Sequence, residues 1–348
     1  MELDLDTFLT TVYCLVDDWY REQIAPQKPV RRGHRPELTD SEVLTLILLA
    51  QWQGDRKERA FLRYARRHWQ RFFPRQLSQS AFNRRARDLA LVLCQLGPAI
   101  AQLLTEQPEL APAYEVLDGT SVPLMRRCRG KRHRLFANEA AMGRGGSDRD
   151  WYYGVKLMAV VEPNGMITGF VYGPANTEER WLAEALLRWR QDPTLAAPTA
   201  AELAPVLGPT HRKGGKRQGP TGPVVGRLGA GAASDGPYLG DLGFEGKEWQ
   251  RHWRADYGAT VLTQADYLPE PTPADQAEAK RWFSGKRQQV ETELGWLDSR
   301  FGLKYPRART PWGLLTRVAA KVAAFDVAVY VNHCFGRETF QFVDLFSC

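Results

Sequence analysis

Tyr114-Glu115-Val116-Leu117-Asp118-Gly119 is the stretch that decides the fold, because the spacing of apolar residues changes here from helical to strand-like. The run from Tyr114 to Leu117 predicts a short β-strand. Asp118 stands where we expect this strand to end, and Gly119 predicts the start of a loop. Taken alone, Asp118 is more easily explained as a turn residue than as a catalytic acid.

The composition is that of a soluble globular protein. The 348 residues are 43% hydrophobic and 25% charged, enough for one large or two ordinary domains. The five cysteines include no Cys-x-x-Cys pair, which argues against a disulfide framework and a structural zinc site. An acidic N-terminus and the lack of a long apolar run predict a cytoplasmic, nucleoid-associated protein with no membrane partner.

Basic residues are concentrated in a few stretches, with 47 Lys plus Arg against 40 Asp plus Glu in the whole chain. Clustered arginine is typical of a protein with a phosphate-rich partner. A solvated basic surface is the simpler explanation of the net charge, so the position of each cluster decides between the two.

Residues 1–110 predict an all-helical domain. Thr39 with Glu42 forms a capping-box pattern that begins one helix. Two basic amphipathic helices follow, over about 58–73 and from about 79, and a proline in the turn between them is expected to end the first. The pair predicts either a helix-turn-helix-like DNA-binding domain or a small bundle with solvated arginines. The candidate DNA contacts here are Arg84, Arg85 and Arg87.

Residues 111–348 predict a second domain, built on a sheet. Tyr152 to Val161 and Met166 to Tyr172 form a predicted hairpin around an intervening Pro-Asn-Gly turn. Asn176 with Glu179 then predicts the capping box of a helix that packs through an apolar stripe.

The later elements complete a recognisable order. A Gly/Pro-rich basic insertion at about 193–234 interrupts the domain. Beyond it we expect a short strand before Asp241, a short helix, another strand, a long helix over about 274–300 and a final apolar helix over about 312–333. This order of strands and helices predicts an α/β, RNase H-like mixed sheet flanked by helices.

Three acids in this order are candidates for one site. Asp118 and Asp241 each follow a predicted strand, with Asp235 the weaker rival of Asp241, and Glu291 lies on the long helix. Arg287 stands four residues before Glu291, and an exposed ion pair is the simpler explanation of that spacing. Hard divalent ions prefer oxygen ligands, so the acids suit metal-dependent cutting of phosphodiesters.

The long helix is expected to pack on the sheet through an apolar stripe. Its members recur at helical spacing: Val290, Leu294, Leu297 and Phe301. In this pattern Glu291 borders the buried face, whereas Glu293 points further away.

Five motifs together resemble the DDE transposases of bacterial insertion sequences. They are Leu117-Asp118, Tyr152-Tyr153-Gly154-Val155-Lys156-Leu157, Gly173-Pro174-Ala175-Asn176-Thr177-Glu178-Glu179-Arg180, Gly240-Asp241-Leu242-Gly243-Phe244, and Arg287 with Glu291-Thr292. The resemblance runs from about residue 5 to 333 outside the insertion. It implies that Asp118, Asp241 and Glu291 bind two Mg²⁺ ions, with Mn²⁺ able to substitute. It also implies Arg287 as a catalytic residue and Lys156 as a DNA contact.

A dense basic stretch follows the first predicted strand. Its candidate DNA contacts are Arg126, Arg127, Arg129, Lys131, Arg132 and Arg134. So many like charges repel one another, but they suit a phosphate backbone held close to the acids. A disordered basic loop is the alternative.

The patterns and the resemblance lead to one hypothesis. We expect a DNA transposase that binds the terminal inverted repeats of its element, cleaves them by metal-dependent hydrolysis and transfers the 3′-OH ends into target DNA. Its expected partner is double-stranded DNA, held by a homodimer or a higher synaptic assembly. Leu242 and Phe244 stand where the family often has Lys and Tyr. A catalytically inactive or domesticated DNA-binding protein and an RNase H-like nuclease without strand transfer therefore stay open.

Overall fold

Helices from both ends of the chain pack on a central mixed sheet in this computed structural model. The structure describes residues 3–29, 33, 36–53, 57–75, 77–106, 112–130, 136–145, 150–199, 201–203, 206, 225–226, 236–263 and 272–343. Its strands are β1 (Glu115–Met125), β2 (Ala141–Gly145), β3 (Asp150–Val161), β4 (Ile167–Pro174), β5 (Val225–Gly226), β6 (Tyr238–Leu239) and β7 (Val261–Leu262). Its α-helices are α1 (Leu5–Trp19), α2 (Asp40–Trp52), α3 (Glu58–His68), α4 (Gln79–Asp88), α5 (Ala90–Thr105), α6 (Arg127–Gly130), α7 (Glu179–Gln191), α8 (Lys247–Tyr257), α9 (Pro273–Ser299) and α10 (Pro311–Cys334).

The first helices follow the predicted order with two differences. The capping box of α2 is confirmed, since Thr39 N–H donates to the Glu42 carboxylate at 2.6 Å and Thr39 Oγ1 accepts from Glu42 N–H. Helix α3 ends at His68 rather than 73, because the chain turns at the fully buried Trp69. The single helix expected from about 79 is divided at Leu89 into α4 and α5, which meet at 63°.

The strand order in the sheet is β5-β4-β3-β1-β6-β7, with β2 paired to β3. Strand β1 is antiparallel to β3 and parallel to β6, and β6 is parallel to β7. Helices α7 and α8 cover one face, and α9, α10 and α5 cover the other. The predicted α/β, RNase H-like architecture, preceded by a helical region, is confirmed.

Strand β1 is longer than predicted. It continues through Gly119 to Met125, because Asp118 and the residues after it stay paired with β3 as far as Met125 opposite Tyr153, with a register shift after Pro123. The expectation that a loop begins at Gly119 is therefore wrong. The Gly/Pro-rich insertion also contributes a strand, β5, which pairs with Val171 and Tyr172 of β4.

The hydrophobic core joins the N-terminal helices to the sheet. Trp52 Nε1 of α2 donates to the Ala324 carbonyl of α10 at 2.9 Å. Helices α5 and α10 approach so closely that a Cβ on Gly97 would lie 2.5 Å from Asp326 Oδ2. Through α10, residues 1–110 share one continuous core with the β3 and β4 side of the sheet.

None of the described helices is by itself both long enough and apolar enough to cross a bilayer. Only α4 and α5 taken together, across the bend between them, have that length and apolar content.

A buried ion pair ties β1 to its neighbours. Glu115 is fully buried, and Arg190 of α7, with 5% of its side chain exposed, donates two hydrogen bonds to it at 2.5 and 2.8 Å. Arg190 also donates to Tyr238 of β6 and to Thr168 of β4. Burial works to lower the pKa of Arg190, but the charge of Glu115 raises it above its usual value. The pair fixes β6 beside β1.

The polar side of α9 differs from the prediction. Val290, Leu294, Leu297 and Phe301 form the buried stripe as expected. Glu293 is fully buried, however, and Glu291 is exposed, so the assigned positions of these two acids were the wrong way round. Glu293 turns inward because Gln289 donates to its carboxylate at 3.2 Å and also to the Pro163 carbonyl of the β3–β4 turn.

Replacing Arg190 with Met should lower the free energy of unfolding by about 3–5 kcal/mol, because Glu115 would stay buried without its partner. Urea unfolding at neutral pH measures this loss. The matched control is Arg251→Met, whose exposed pairing with Glu248 is expected to contribute less than about 1 kcal/mol. Equal losses in the two variants would contradict the role given to the buried pair.

Glu293→Gln should remove part of a pH dependence of stability. Burial raises the pKa of Glu293 to about 8, with Gln289 opposing the shift. The pKa of Glu293 is higher in the folded than in the unfolded chain. The contribution of Glu293 to stability is therefore fully present below about pH 4.5 and is lost as pH rises through about 8.

At pH 8 the variant should therefore gain about 4 kcal/mol over the wild type, with little difference near pH 4.5. Urea unfolding across this pH range measures the gain, and the exposed Glu278→Gln serves as control. A gain of equal size at both pH values would refute the explanation.

Candidate active site

Asp118 lies within β1, on the face of the sheet that α9 covers. It is the fourth residue of the strand and sits opposite Ala159 of β3. Side chains alternate along a strand, so Asp118 shares its face with Val116 and Val122, which pack in the core beneath α9 and α10. Its carboxylate Oδ1 accepts a hydrogen bond from Gly119 N–H at 2.9 Å. The strand, rather than a loop, holds this acid in place.

Asp241 is brought to the same region by β6. That strand runs parallel to β1, with Leu239 opposite Val116, and ends two residues before Asp241. Asp241 caps a short 3₁₀ turn, where its Oδ1 accepts from Gly243 N–H at 2.7 Å. The predicted position after a strand is therefore confirmed for Asp241, whereas Asp235 lies outside the described residues.

Glu291 and Arg287 reach the site from α9. Their side chains form a loose pair, with Arg287 Nη2 3.4 Å from Glu291 Oε1, and 59% of the Glu291 side chain is exposed. This is the i, i+4 ion pair that the spacing allowed as the simpler explanation. The pair nevertheless lies near enough to the sheet for both charges to act on Asp118.

The charges of Asp241 and Glu291 both act on Asp118. Burial raises the pKa of Asp118 to about 7, and the negative charges of Asp241 and Glu291 add to the rise. The hydrogen bond from Gly119 and the charge of Arg287 act in the opposite direction. Burial also raises the pKa of Asp241, with Glu179 adding to it and Arg287 opposing it. Carboxylates that repel one another in a partly buried place favour a cation between them.

Glu179 is a site residue that the sequence reasoning missed. It was assigned to a capping box with Asn176, but the N-cap of α7 is Glu178, which makes no side-chain cap bond. Instead, Glu179 Oε1 accepts from Lys156 Nζ at 3.1 Å. A Cβ on Gly243 would lie 2.6 Å from Glu179 Oε2 and 2.7 Å from Asp241 Oδ1, so the two carboxylates flank this glycine.

The signal for Glu179 was present but ambiguous. The sequence predicts Lys156 as a DNA contact and Glu179 as a capping-box residue. Nothing in the sequence shows that β3 and α7 bring these two side chains together. In the structure Lys156 lies opposite Ser121 of β1, on the face that α7 covers. Acids from both faces of the sheet therefore meet at the end of β6.

The candidate DNA contacts differ in how exposed their side chains are. Arg84 and Arg87 of α4 are exposed, but Arg85 is held inside the helical region by hydrogen bonds to Asp40 and to the Leu38 carbonyl. Arg126 and Arg127 are exposed directly after β1. Lys131, Arg132 and Arg134 lie outside the described residues, as does the side chain of Arg129.

The acids do not form a ready-made metal site in the described part of the chain. Among the described residues, no three His, Cys, Asp or Glu side chains lie close enough together to hold one ion as they stand. The donor set of Asp118, Asp241 and Glu291 consists of carboxylate oxygens alone, which is the chemistry that a hard divalent ion prefers. Glu291 is paired with Arg287, so binding to an ion shared with Asp118 would require its exposed side chain to turn.

The sheet, flanked by helices on both faces, has the RNase H-like architecture. Residues 111–194 match a family model described as a transposase DDE domain. This segment is therefore similar to DDE-type transposase domains, and that similarity implies DNA as the partner. The match contains Asp118, Lys156 and Glu179, whereas Asp241 and Glu291 lie beyond it. No curated protein gives a significant match to the chain.

Glu179→Gln should lower the pKa of Asp241, because the variant removes a negative charge that raises it. Side-chain carboxyl ¹³C shifts followed through a pH titration of the metal-free full chain measure this change. Glu178→Gln removes the same charge one residue earlier and should leave Asp241 unchanged. A shift of equal size in both variants would show that net charge, rather than contact with Glu179, acts on Asp241.

Proposed function

We propose that this chain is the transposase of a bacterial insertion sequence. It binds the terminal inverted repeats of the element, cleaves them by metal-dependent hydrolysis and joins the freed 3′-OH ends to target DNA. The observation that carries the proposal is the placement of the acids on an RNase H-like sheet, with Asp118 in β1, Asp241 after the adjacent parallel β6 and Glu291 on α9, where the charges of Asp241 and Glu291 both act on Asp118. The DDE domain match over residues 111–194 supports the same reading.

The donor set suits Mg²⁺, or Mn²⁺ in its place. Asp118 and Asp241 would hold the metal from adjacent parallel strands, and Glu291 would join them from α9. When bound, two such ions supply an activated nucleophile and stabilise the leaving oxygen. Their charge would also relieve the repulsion that raises the pKa of Asp118.

The chain's own residues have distinct parts in this proposal. The sheet orients Asp118, since β1 is paired on both sides at Val116. The side chain of Arg287 is 32% exposed, and its guanidinium would bind a phosphate oxygen of the DNA. Glu179 holds Lys156 Nζ beside Asp241, so the ammonium is kept close to the reacting phosphate rather than in solvent.

The two proposed reactions are both nucleophilic substitutions at phosphorus. In the first, water attacks the phosphorus, the bond from phosphorus to the 3′-oxygen breaks, and that oxygen takes up a proton as the water loses one. In the second, the resulting 3′-OH attacks a target phosphodiester and displaces its 3′-oxygen. Both reactions require the same in-line placement of the nucleophile and the leaving group.

Asp118→Asn should abolish end cleavage in Mg²⁺ while leaving binding to the ends largely intact. Loss of a metal-binding acid costs several kcal/mol of transition-state stabilisation, and thus more than about a hundredfold in rate. Strand-specific cleavage of labelled fragments that carry the DNA flanking the gene measures the rate, and a mobility shift measures binding. The exposed Asp256→Asn should behave as the wild type.

The outcomes separate the candidate functions. Cleavage retained by Asp118→Asn would overturn the proposal. Binding of the ends by the wild type without nicking in Mg²⁺ or Mn²⁺ would identify a catalytically inactive or domesticated DNA-binding protein. Cleavage of unrelated DNA without joining would identify an RNase H-like nuclease.

A further inference from the structure

A basic cleft lies between the N-terminal helices and the C-terminal part of the chain. It has a volume of about 1100 Å³ and is bounded by α2, α3, α4 and α10 and by the segment that joins α9 to α10. Eight of its lining residues are Lys or Arg, whereas Glu58 is its single Asp or Glu. Small-molecule pockets are mostly apolar, so this lining indicates an anionic occupant.

Several of these cations are not neutralised within the described part of the chain. Lys304 pairs with Asp298 at 2.5 Å, and Arg300 donates to the Phe342 carbonyl. The side chains of Arg87, Arg307 and Arg309 are exposed and form no ion pair with any described residue. Their charges are therefore available to a ligand.

Arg317 strengthens this conclusion from the wall of the cleft. Its side chain is 39% exposed, and its nearest carboxylate, Glu58, is 3.9 Å away. Burial lowers the pKa of Arg317, and the positive charges of Arg307 and Arg87 lower it further against the opposing charge of Glu58. Crowded guanidinium groups of this kind are stabilised by an anion placed among them.

The segment on the floor of the cleft is held in an unusual backbone conformation. Tyr305 and Arg307 both have positive φ, 56° and 57°, a region that costs non-glycine residues about 1 kcal/mol or more each. Tyr305 is 50% exposed, and Trp312 is exposed nearby with its Nε1 donating to the Arg87 carbonyl. Two exposed aromatic rings therefore lie beside the arginines of the cleft.

The cleft is also connected to the candidate active site. Tyr305 N–H donates to the Pro123 carbonyl of β1 at 2.9 Å. Pro123 stands five residues after Asp118, a distance of about 17 Å along a strand. At about 3.4 Å per base pair, that separation corresponds to about five base pairs of DNA. Arg126 and Arg127 follow at the same end of β1.

We propose that this cleft binds the phosphodiester backbone of duplex DNA beside the cleavage site, through Arg307, Arg309, Arg317 and Arg87. The inference rests on the proposed function for the identity of the DNA, and it adds a binding surface made by both ends of the chain. Only Arg87 of this set was a candidate DNA contact from the sequence. The cleft therefore assigns the C-terminal arginines a role in holding DNA.

Arg307→Gln with Arg309→Gln tests the assignment in the full chain. Fluorescence anisotropy of a short labelled DNA duplex is measured over a series of salt concentrations. Loss of two phosphate contacts should weaken binding by at least about tenfold and reduce the slope of log K against log salt by about 2. Arg317→Gln should reduce the slope by about 1.

The matched control removes two positive charges elsewhere. Arg21→Gln with Arg71→Gln changes exposed arginines that already pair with Asp17 and Asp6, so its slope should equal that of the wild type. Circular dichroism and thermal unfolding confirm that each variant is folded. Equal slopes in the wild type and the cleft variant would overturn the assignment, as would equal losses in the cleft and control variants.

Further outcomes of these experiments distinguish a failure of the cleft assignment from a failure of the proposed function. Wild type that binds DNA through the cleft but does not cut it would refute the transposase and leave the cleft assignment standing. Cleft variants that bind and cut normally would refute the cleft alone, and wild type that binds no DNA would refute both. An RNA duplex that competes as well as DNA of the same sequence would overturn the choice of DNA as the occupant.

Discussion

The pairing of Glu115 with Arg190 is the constraint on which the sheet and its candidate site depend. Two opposite charges are buried at the start of β1, and each would destabilise the fold without the other. Arg190 also contacts Tyr238, the first residue of β6, and Thr168 of β4. Because side chains from three strands converge on this one guanidinium of α7, β6 is held parallel to β1, and Asp241 lies two residues after the end of β6.

The candidate site lies at the end of β6, where side chains from both faces of the sheet come near Asp241. Asp118 faces α9 and is influenced by Glu291 and Arg287, whereas Lys156 and Glu179 lie on the face covered by α7. Asp241 is influenced from both faces, by Arg287 and by Glu179. A short parallel strand thus exposes one carboxylate to charges from two helices that are far apart in the chain.

The sequence predicted most of the elements, because apolar periodicity and capping residues are local signals. Such signals correctly predicted the capping box at Thr39, the hairpin before α7 and the apolar stripe of α9. Boundaries were less predictable. Gly119 was expected to end β1, but pairing with β3 outweighs the weak strand propensity of glycine. The predicted burial of Glu291 and exposure of Glu293 were the wrong way round. Which of two acids so close on a helix turns inward depends on neighbours such as Gln289, which donates to Glu293.

The sequence by itself determined the order of the main strands and helices, the position of Asp241 after a strand and the resemblance to a transposase core. Only the tertiary structure decided that Glu179 flanks Asp241, that Arg85 is internal and that the C-terminal arginines line a cleft with α3 and α4. The physical reason is that these relations join residues far apart in the chain. The cleft, for example, depends on the packing of α10 against the N-terminal helices, and no local pattern of residues encodes that packing.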